Sequence, residues 1–538
     1  MELSQFIKIA RGDEPADLLL KGGSIVDVFS GDVYAADVAI ADGRIVGVGS
    51  NYRAKETIDV SGSVIAPGFI DAHVHIESSL VPPPQFARAV VPRGTTSVVI
   101  DPHEIANVLG LDGIRYMFDA AKYNPLSVFV MVPSCVPATN METSGAVLHS
   151  YDLTSFKQDR WVLGLAEMMN FPGVIFGDEE VLAKITEFDG TIRDGHAPGL
   201  AGQQLNAYIA AGIGSDHECT TVDEAREKLR LGMTIFIREA TNAHNLEPLL
   251  PLINATNARR FCWCTDDRQP SDLLDLGGID YLIRHSIELG LDPVTAIRLG
   301  TLNTAEYFRL HDRGSIAPGK RADLVVLNNL KEVKAKFVLR GGAIVARDGE
   351  LLAYAKPQRD IFVRSSMNVD LDQIDFRVKA TGRKANIIGA IPDQLITEHL
   401  IEDLTIENGL AVQDPGLDVL KIAVIERHAH TGAHAIGFVK GIGLRAGAIA
   451  SSVAHDHHNI VVIGADDRSM LTAVRAIVQT HGGMSAATGD QVVSLLPLPI
   501  AGLMSDQPIE KVRDQMDELV RSAHQLGSTL HDPFMAMS

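Results

Sequence analysis

Apolar and polar positions follow three different rhythms along the chain. Around residues 18–66 they alternate in short runs, DLLLKGGSIVDV, YAADVAIADGRIVGVG and KETIDVSGSVIAPG, broken by Gly-Gly, Asp-Gly and Ser-Gly. Period-two alternation between turn residues marks half-buried strands in hairpins. The same texture returns at residues 313–350, in RGSIAPGKRADLVVLNN and VKAKFVLRGGAIVARDGE. Two β-rich pieces flanking a long central region predict one small β-sandwich built from both flanks.

The central rhythm alternates short β-branched runs with longer helix-compatible stretches such as VDEAREKLRLG. The strand candidates are GFIDAHVHI (68–76), TTSVVIDP (95–102), LSVFVMVPS (126–134), WVLGLAEM (161–168), GTIRDGHA (190–197), GIGSDHE (212–218), TIFIREAT (234–241) and RFCWCTDD (260–267). Eight alternations predict a closed (β/α)8 barrel. An open doubly wound sheet is the competing arrangement, and it is disfavoured because no GxGxxG follows the first run. A third rhythm begins near residue 356. LDVLKIAVIERH, HAIGFVKGIGL, GAIASSVAHD and HNIVVIGAD read as strands and SMLTAVRAIVQTHGG as a helix, giving a separate α/β or α+β domain. The expected organisation is therefore residues 1–66 and 313–355 for the sandwich, 67–312 for the barrel, and 356–538 for the last domain.

Composition narrows the setting. The chain has 538 residues, 46% hydrophobic and 22% charged, with a formal net charge of -20. Such a surface repels phosphate backbones and anionic membranes, so neither nucleic acid nor membrane is expected as a partner. Cys135, Cys219, Cys262 and Cys264 lack a disulfide-style spacing and read as reduced thiols. No apolar run approaches a membrane span and no secretory leader is visible, so a cytoplasmic protein is expected.

Metal-ligand side chains gather at the ends of the predicted strands. His73 and His75 share one face of the first strand by alternation. Glu167 ends the fourth, His196 the fifth, His217 the sixth and Asp266 the eighth. Singly, each has a bland reading: an incidental HxH, or a residue on the surface or capping a helix. Together, at the end of a barrel where catalytic residues collect, four histidines and two carboxylates suit one or two divalent metals.

PGFIDAHVHIESS resembles the first-strand signature of the metal-dependent amidohydrolase superfamily, and SIAPGKRADLVVL resembles its usual return strand in the sandwich. That resemblance gives metal-ligand roles to His73, His75, His196, His217 and Asp266. Many members carry a carboxylated lysine on the fourth strand; the matching position here looks like Glu167, and a glutamate can bridge without modification. HIESS, DPHEIANVLG, AEMMNFPGV, DGHAPGL, SDHE and GFVKGIGLRAGAIASSVAHDHHNI are similar to the adenine deaminase family in particular. The cytidine-type zinc deaminases are excluded, since they need an HxE followed by PCxxC.

The resemblance implies hydrolytic deamination of adenine to hypoxanthine and ammonia, in purine salvage, by a metal-activated hydroxide. Asp266 is expected to serve as general base and then general acid. Glu218 is the first candidate for the proton donor to the ring, with Asp267 and Glu77 as alternatives. Glu218 would point away if its strand continued, Asp267 could cap the next segment, and Glu77 could orient a ligand histidine. His103 and Glu104 either line the substrate pocket or cap the next helix. Affinity order favours Zn2+, whereas the resemblance implies Mn2+ or Fe2+, two ions per site. Adenine and water are the expected small-molecule partners, and a homo-oligomer such as a dimer is expected. The alternatives are an amidohydrolase acting on another aminopurine or cyclic amide, and an inactive binding relative. The last domain holds His428, His430, His434, His455, His457, His458 and His481. These are read as a polar, Gly-rich surface packed against the barrel rather than a second metal site, with AHDHHN (454–459) able to close over the barrel mouth.

Overall fold

The computed structural model describes residues 1–122, 124–352, 363–392 and 397–538. Its sandwich forms as the alternation requires. A four-stranded sheet (Arg44–Gly49, Asp37–Ala41, Ala16–Lys21, Ala54–Asp59) faces a seven-stranded sheet that mixes the two flanks. The join is antiparallel pairing of Val64–Pro67 with Leu324–Leu327. Leu18 and Leu20 point into the sandwich with Ile65, Leu324 and Leu339. Leu19, one position out of phase, packs on the opposite face with Ile9, which comes from a helix (Leu3–Ala10) that the sequence reading did not foresee.

Eight parallel strands form the central unit: β1 (Phe69–Val74), β2 (Thr95–Ile100), β3 (Ser127–Val132), β4 (Val162–Met168), β5 (Ile192–Gly195), β6 (Ser215–Asp216), β7 (Thr234–Arg238) and β8 (Phe261–Cys264). β1 to β5 form one ladder and β6 to β8 another. Gly214 N donates to Arg193 O at 2.9 Å between β5 and β6, and Asp266 N donates to His73 O at 3.0 Å between β8 and β1. Together these close the barrel. Alternation separates its two sides: Ile70, Ala72, Val99, Met131, Ala166, Phe236 and Cys262 form one apolar cluster, and Phe69, Val98, Val130, Ile235 and Trp263 form another with the surrounding helices.

The C-terminal domain carries an eight-stranded, mostly antiparallel sheet, which makes it α+β. Its order is Thr397–Asp403, Lys384–Ala390, His434–Lys440, Leu420–Ile425, Ile460–Gly464, Ala448–Ser451, Gly483–Thr488 and Gln491–Pro497. Ile460 and Val462 pack against Met470, Val474 and Ile477 of the helix Asp467–Gln479. Val461 and Ile463, on the other face, join the barrel's apolar cluster together with Val512, Met516 and Leu519 of the helix Ile509–Gln525. The expected boundary at residues 355/356 lies outside the described residues. Among the described residues no helix is long and apolar enough to cross a membrane.

Candidate active site

Two irregularities in the barrel aim the first donors. Strict alternation from Ile70 and Ala72 would turn His73 away from the mouth, but the β1–β2 register shifts between Asp71 and Val74. In β4, the register with β5 shifts between Leu165 and Met168, around Glu167. Such irregularities re-aim side chains, and here both fall at candidate ligands. His196, His217 and Asp266 lie just beyond the ends of β5, β6 and β8. Asp266 adopts a left-handed backbone (φ 55°), a sparsely populated conformation for a non-glycine residue.

These side chains converge. Nε2 of His73 and Nε2 of His75 lie 3.0 Å apart. Glu167 Oε1 is 3.5 Å from His73 Nε2 and 3.2 Å from His75 Nε2. Its Oε2 is 2.7 Å from His196 Nδ1 and 3.2 Å from His217 Nε2. Asp266 Oδ1 is 3.5 Å from His73 Nε2 and 3.1 Å from His75 Nε2. His75 Nδ1–H donates to the carbonyl of Asp101 at 3.0 Å, which leaves the lone pair on Nε2, toward the cluster.

One unmodified carboxylate thus serves two imidazole pairs through its two oxygens. Nitrogen and oxygen donors without a thiolate fit a pair of divalent cations of borderline character. His73, His75 and Asp266 would hold one, His196 and His217 the other, with Glu167 between. Burial pushes the Glu167 carboxyl up, yet the charges of His217 and His73 outweigh it and hold the group well below the usual range. Asp266 is held low in the same way, with Arg238 as the largest opposing charge.

The remaining candidates separate. Because β6 ends at Asp216, Glu218 does not alternate away, and its Oε1 lies 3.5 Å from His217 Nε2. Asp267 lines the cavity and accepts a hydrogen bond from Ser78 Oγ at 2.5 Å. His103 opens the helix His103–Leu109, yet its Nδ1 lies 3.1 Å from Asp101 Oδ2 and 3.5 Å from Glu167 Oε1. Glu104 also reaches the cavity. Glu77 is not among the residues lining that cavity: its Oε1 accepts from Ile105 N at 3.2 Å in the first turn of the helix, and no hydrogen bond to a histidine is seen among the described residues. Burial raises its carboxyl to about 7.

Sequence reasoning missed Arg238. This buried guanidinium at the end of β7 donates to both oxygens of Glu218 and, through Nη1, to Asp266 Oδ2 at 2.7 Å. An arginine ending an otherwise apolar strand, TIFIR, was the available signal. The C-terminal segment 454–459 lies over the barrel mouth as expected, but two of its histidines are set deeper than a polar packed surface implies. His458 is fully buried, and His455 and His458 both bond the carboxylate of Glu104. Asp456 Oδ1 lies 3.4 Å from His103 Nε2. The segment reaches inward because the sheet face bearing Val461 and Ile463 docks on the barrel. Barrel and C-terminal domain together line a cavity of about 460 Å³ over the cluster, shared by Glu218, Arg238 and Asp267 with His455, Asp456 and Met535.

Comparison with known proteins follows this division. Residues 64–345 match the amidohydrolase family, and residues 394–538 match the adenine deaminase C-terminal domain. An adenine deaminase of Desulfatibacillum aliphaticivorans is 53% identical over 99% of this chain and 94% of its own length. One from Methanothrix thermoacetophila is 46% identical over 100% of this chain and 94% of its own. Among solved structures, a dihydropyrimidinase from Brevibacillus agri aligns with TM-score 0.48 and 15% identity, covering 64% of this chain and 99% of its own.

Proposed function

The chain belongs to the adenine deaminase family of amidohydrolases, and we propose that it hydrolyses free adenine to hypoxanthine and ammonia. The observation that carries this reading is the Glu167 carboxylate shared between two imidazole pairs, with Asp266 and an Arg238-bound Glu218 at the same mouth. We take Mn2+ or Fe2+ as the native ions, two per site, and place the reaction in the cytoplasm, in purine salvage, by a homo-oligomer. A bound divalent pair supplies Lewis acidity that brings the pKa of water near neutrality.

The protein's own residues do the rest. Asp266, ionised and fixed by Arg238, accepts the proton that the attacking water loses and passes it to the departing amine at C6. Glu218, held on both oxygens by Arg238, is the residue we assign to the ring nitrogen N1 beside C6, relaying to it the second proton of the water, which the hydroxyl added at C6 gives up as the carbonyl forms. The C-terminal domain lines one side of the cavity, and we assign it the role of limiting the access of bulk water to the reacting carbon. Adenine plus water gives hypoxanthine plus ammonia, so no further reactant is needed.

The test is ammonia and hypoxanthine release from adenine by Mn2+-loaded protein, beside Asp266→Asn. We expect turnover by the natural protein and a loss of at least about 1000-fold in the variant. A folded, metal-loaded protein that leaves adenine intact would overturn the assignment and direct the search to other aminopurines and cyclic amides.

A further inference from the structure

Glu104, in the first turn of the helix after β2, is clasped by two histidines of the C-terminal domain: Oε1 by His455 Nδ1 and Oε2 by His458 Nε2. Three such side chains within reach of one another resemble a metal seat. The hydrogen bonding argues otherwise. Ala454 N donates to His458 Nδ1 at 3.1 Å, so that nitrogen carries a lone pair and Nε2 carries the hydrogen. His458 is therefore a donor to Glu104 and presents no lone pair to a cation there. Glu104, fixed from one side by His458, in turn fixes Nδ1–H of His455.

This leaves His455 Nε2, which is buried and has no hydrogen-bond partner among the described residues. The imidazole lines the cavity over the cluster. A buried polar atom that is left unpaired in a binding cavity is costly unless a ligand satisfies it. Its position around the mouth selects the ligand atom. Glu218 follows β6, whereas Glu104 and the histidine it orients stand above β2, across the barrel. A purine with C6 at the cluster and N1 toward Glu218 turns its other flank, the N7 edge of the imidazole ring, toward β2.

We propose that His455 is a substrate-contacting specificity residue whose Nε2 hydrogen-bonds N7 of the purine, with Glu104 as the positioning residue behind it. The proposal rests on adenine being the substrate. Burial disfavours the charged imidazole, but the charge and hydrogen bond of Glu104 outweigh this and raise His455 to about 10. Nε2 is then a donor, matched to the lone pair that N7 carries in the usual tautomer of adenine. The C-terminal domain thereby supplies part of substrate recognition as well as one side of the cavity.

The experiment is a cycle of two proteins and two substrates. kcat/KM is measured for adenine and for 7-deazaadenine, which has C–H at position 7, with natural protein and His455→Ala, alongside metal content and thermal melting. The cycle cancels the different intrinsic reactivities of the two rings. His455→Ala is expected to lose on the order of 10- to 100-fold on adenine, the worth of a hydrogen bond to a charged group, and less than about threefold on 7-deazaadenine. His455→Gln, which keeps an amide N–H near the Nε2 position, should restore part of the difference. Equal losses on both substrates, or none on either, would overturn the proposal, and His455→Gln supplies the reading if the alanine variant does not fold. Failure of the natural protein to turn over adenine would instead count against the adenine assignment.

Discussion

Arg238 joins Asp266 to Glu218, the two carboxylates given proton-handling roles in the proposed reaction. It binds both oxygens of Glu218 and one of Asp266, and all three side chains are buried. Removing the guanidinium leaves two carboxylates without their cation, and a lysine cannot reproduce the planar fork. Arg238→Met should lower kcat by about 100-fold or more, and Arg238→Lys should recover only a small part. Steady-state kinetics with metal content measured in parallel decides this; a kcat within threefold of the natural value in the lysine variant would show that charge alone suffices. The ligand candidates were legible in the sequence because each ends a recognisable strand and histidine is uncommon there. Arg238 and His455 were not, because their meaning lies in partners far along the chain: Glu218 is 20 positions from Arg238, and Glu104 is 351 positions from His455. Glu77 shows the converse. Its closeness to the HxH pair suggested chemistry, and the fold adds a backbone partner that the sequence does not show, the N–H of Ile105 on Oε1.

At the level of elements, the barrel alternation was readable because each strand buries both faces and each helix keeps a polar side. The two register shifts that aim His73 and Glu167 were not, since one extra residue in a ladder leaves no mark in an apolar run. β6 is the extreme case. Only Ser215–Asp216 pair, yet the strand must present His217 and Glu218. A side-chain network replaces the missing ladder. Fully buried Lys228, from the helix Val222–Arg230, donates to Ala197 O at 2.7 Å, to Asp216 Oδ2 at 3.0 Å and to Glu224 Oε1 at 2.8 Å. Asp216 also accepts from Ala197 N at 2.8 Å and Glu218 N at 3.1 Å. A buried lysine in a helix of largely polar composition is what sequence pattern reads worst, because lysine is almost always exposed. Lys228→Met strands a buried carboxylate and should destabilise the protein by about 3–5 kcal/mol, read as a lower urea midpoint. Adding Asp216→Asn should return part of that loss, since both charges are then gone. A single variant as stable as the natural protein would mean that β6 is held by packing alone.

On the scale of the whole molecule, barrel and C-terminal domain share one apolar cluster, running from Val98 and Trp263 to Ile463 and Leu519. Glu104 and His103, at the start of the helix after β2, then tie the barrel to the 454–459 segment beside the candidate metal ligands. A shared core and a shared polar junction predict that the two units unfold together. The chain separates the probes by itself: both of its tryptophans, Trp161 and Trp263, lie in the barrel, whereas far-UV circular dichroism also reports the eight-stranded C-terminal sheet. In urea the two signals should give coincident midpoints, the mark of a single cooperative transition. Metal makes the test sharper. A cation that binds only the folded state stabilises by RT ln(1 + [L]/Kd), about 2.7 kcal/mol at a hundredfold excess over Kd. The candidate ligands all belong to the barrel, so with independent domains a chelator would lower the fluorescence midpoint and leave the C-terminal part of the dichroism curve in place. With the coupling described here, chelation should move both midpoints down together and Mn2+ should restore both. A dichroism curve that splits into two steps on chelation would show that the contacts around Glu104 flank the cavity without joining the stability of the two domains.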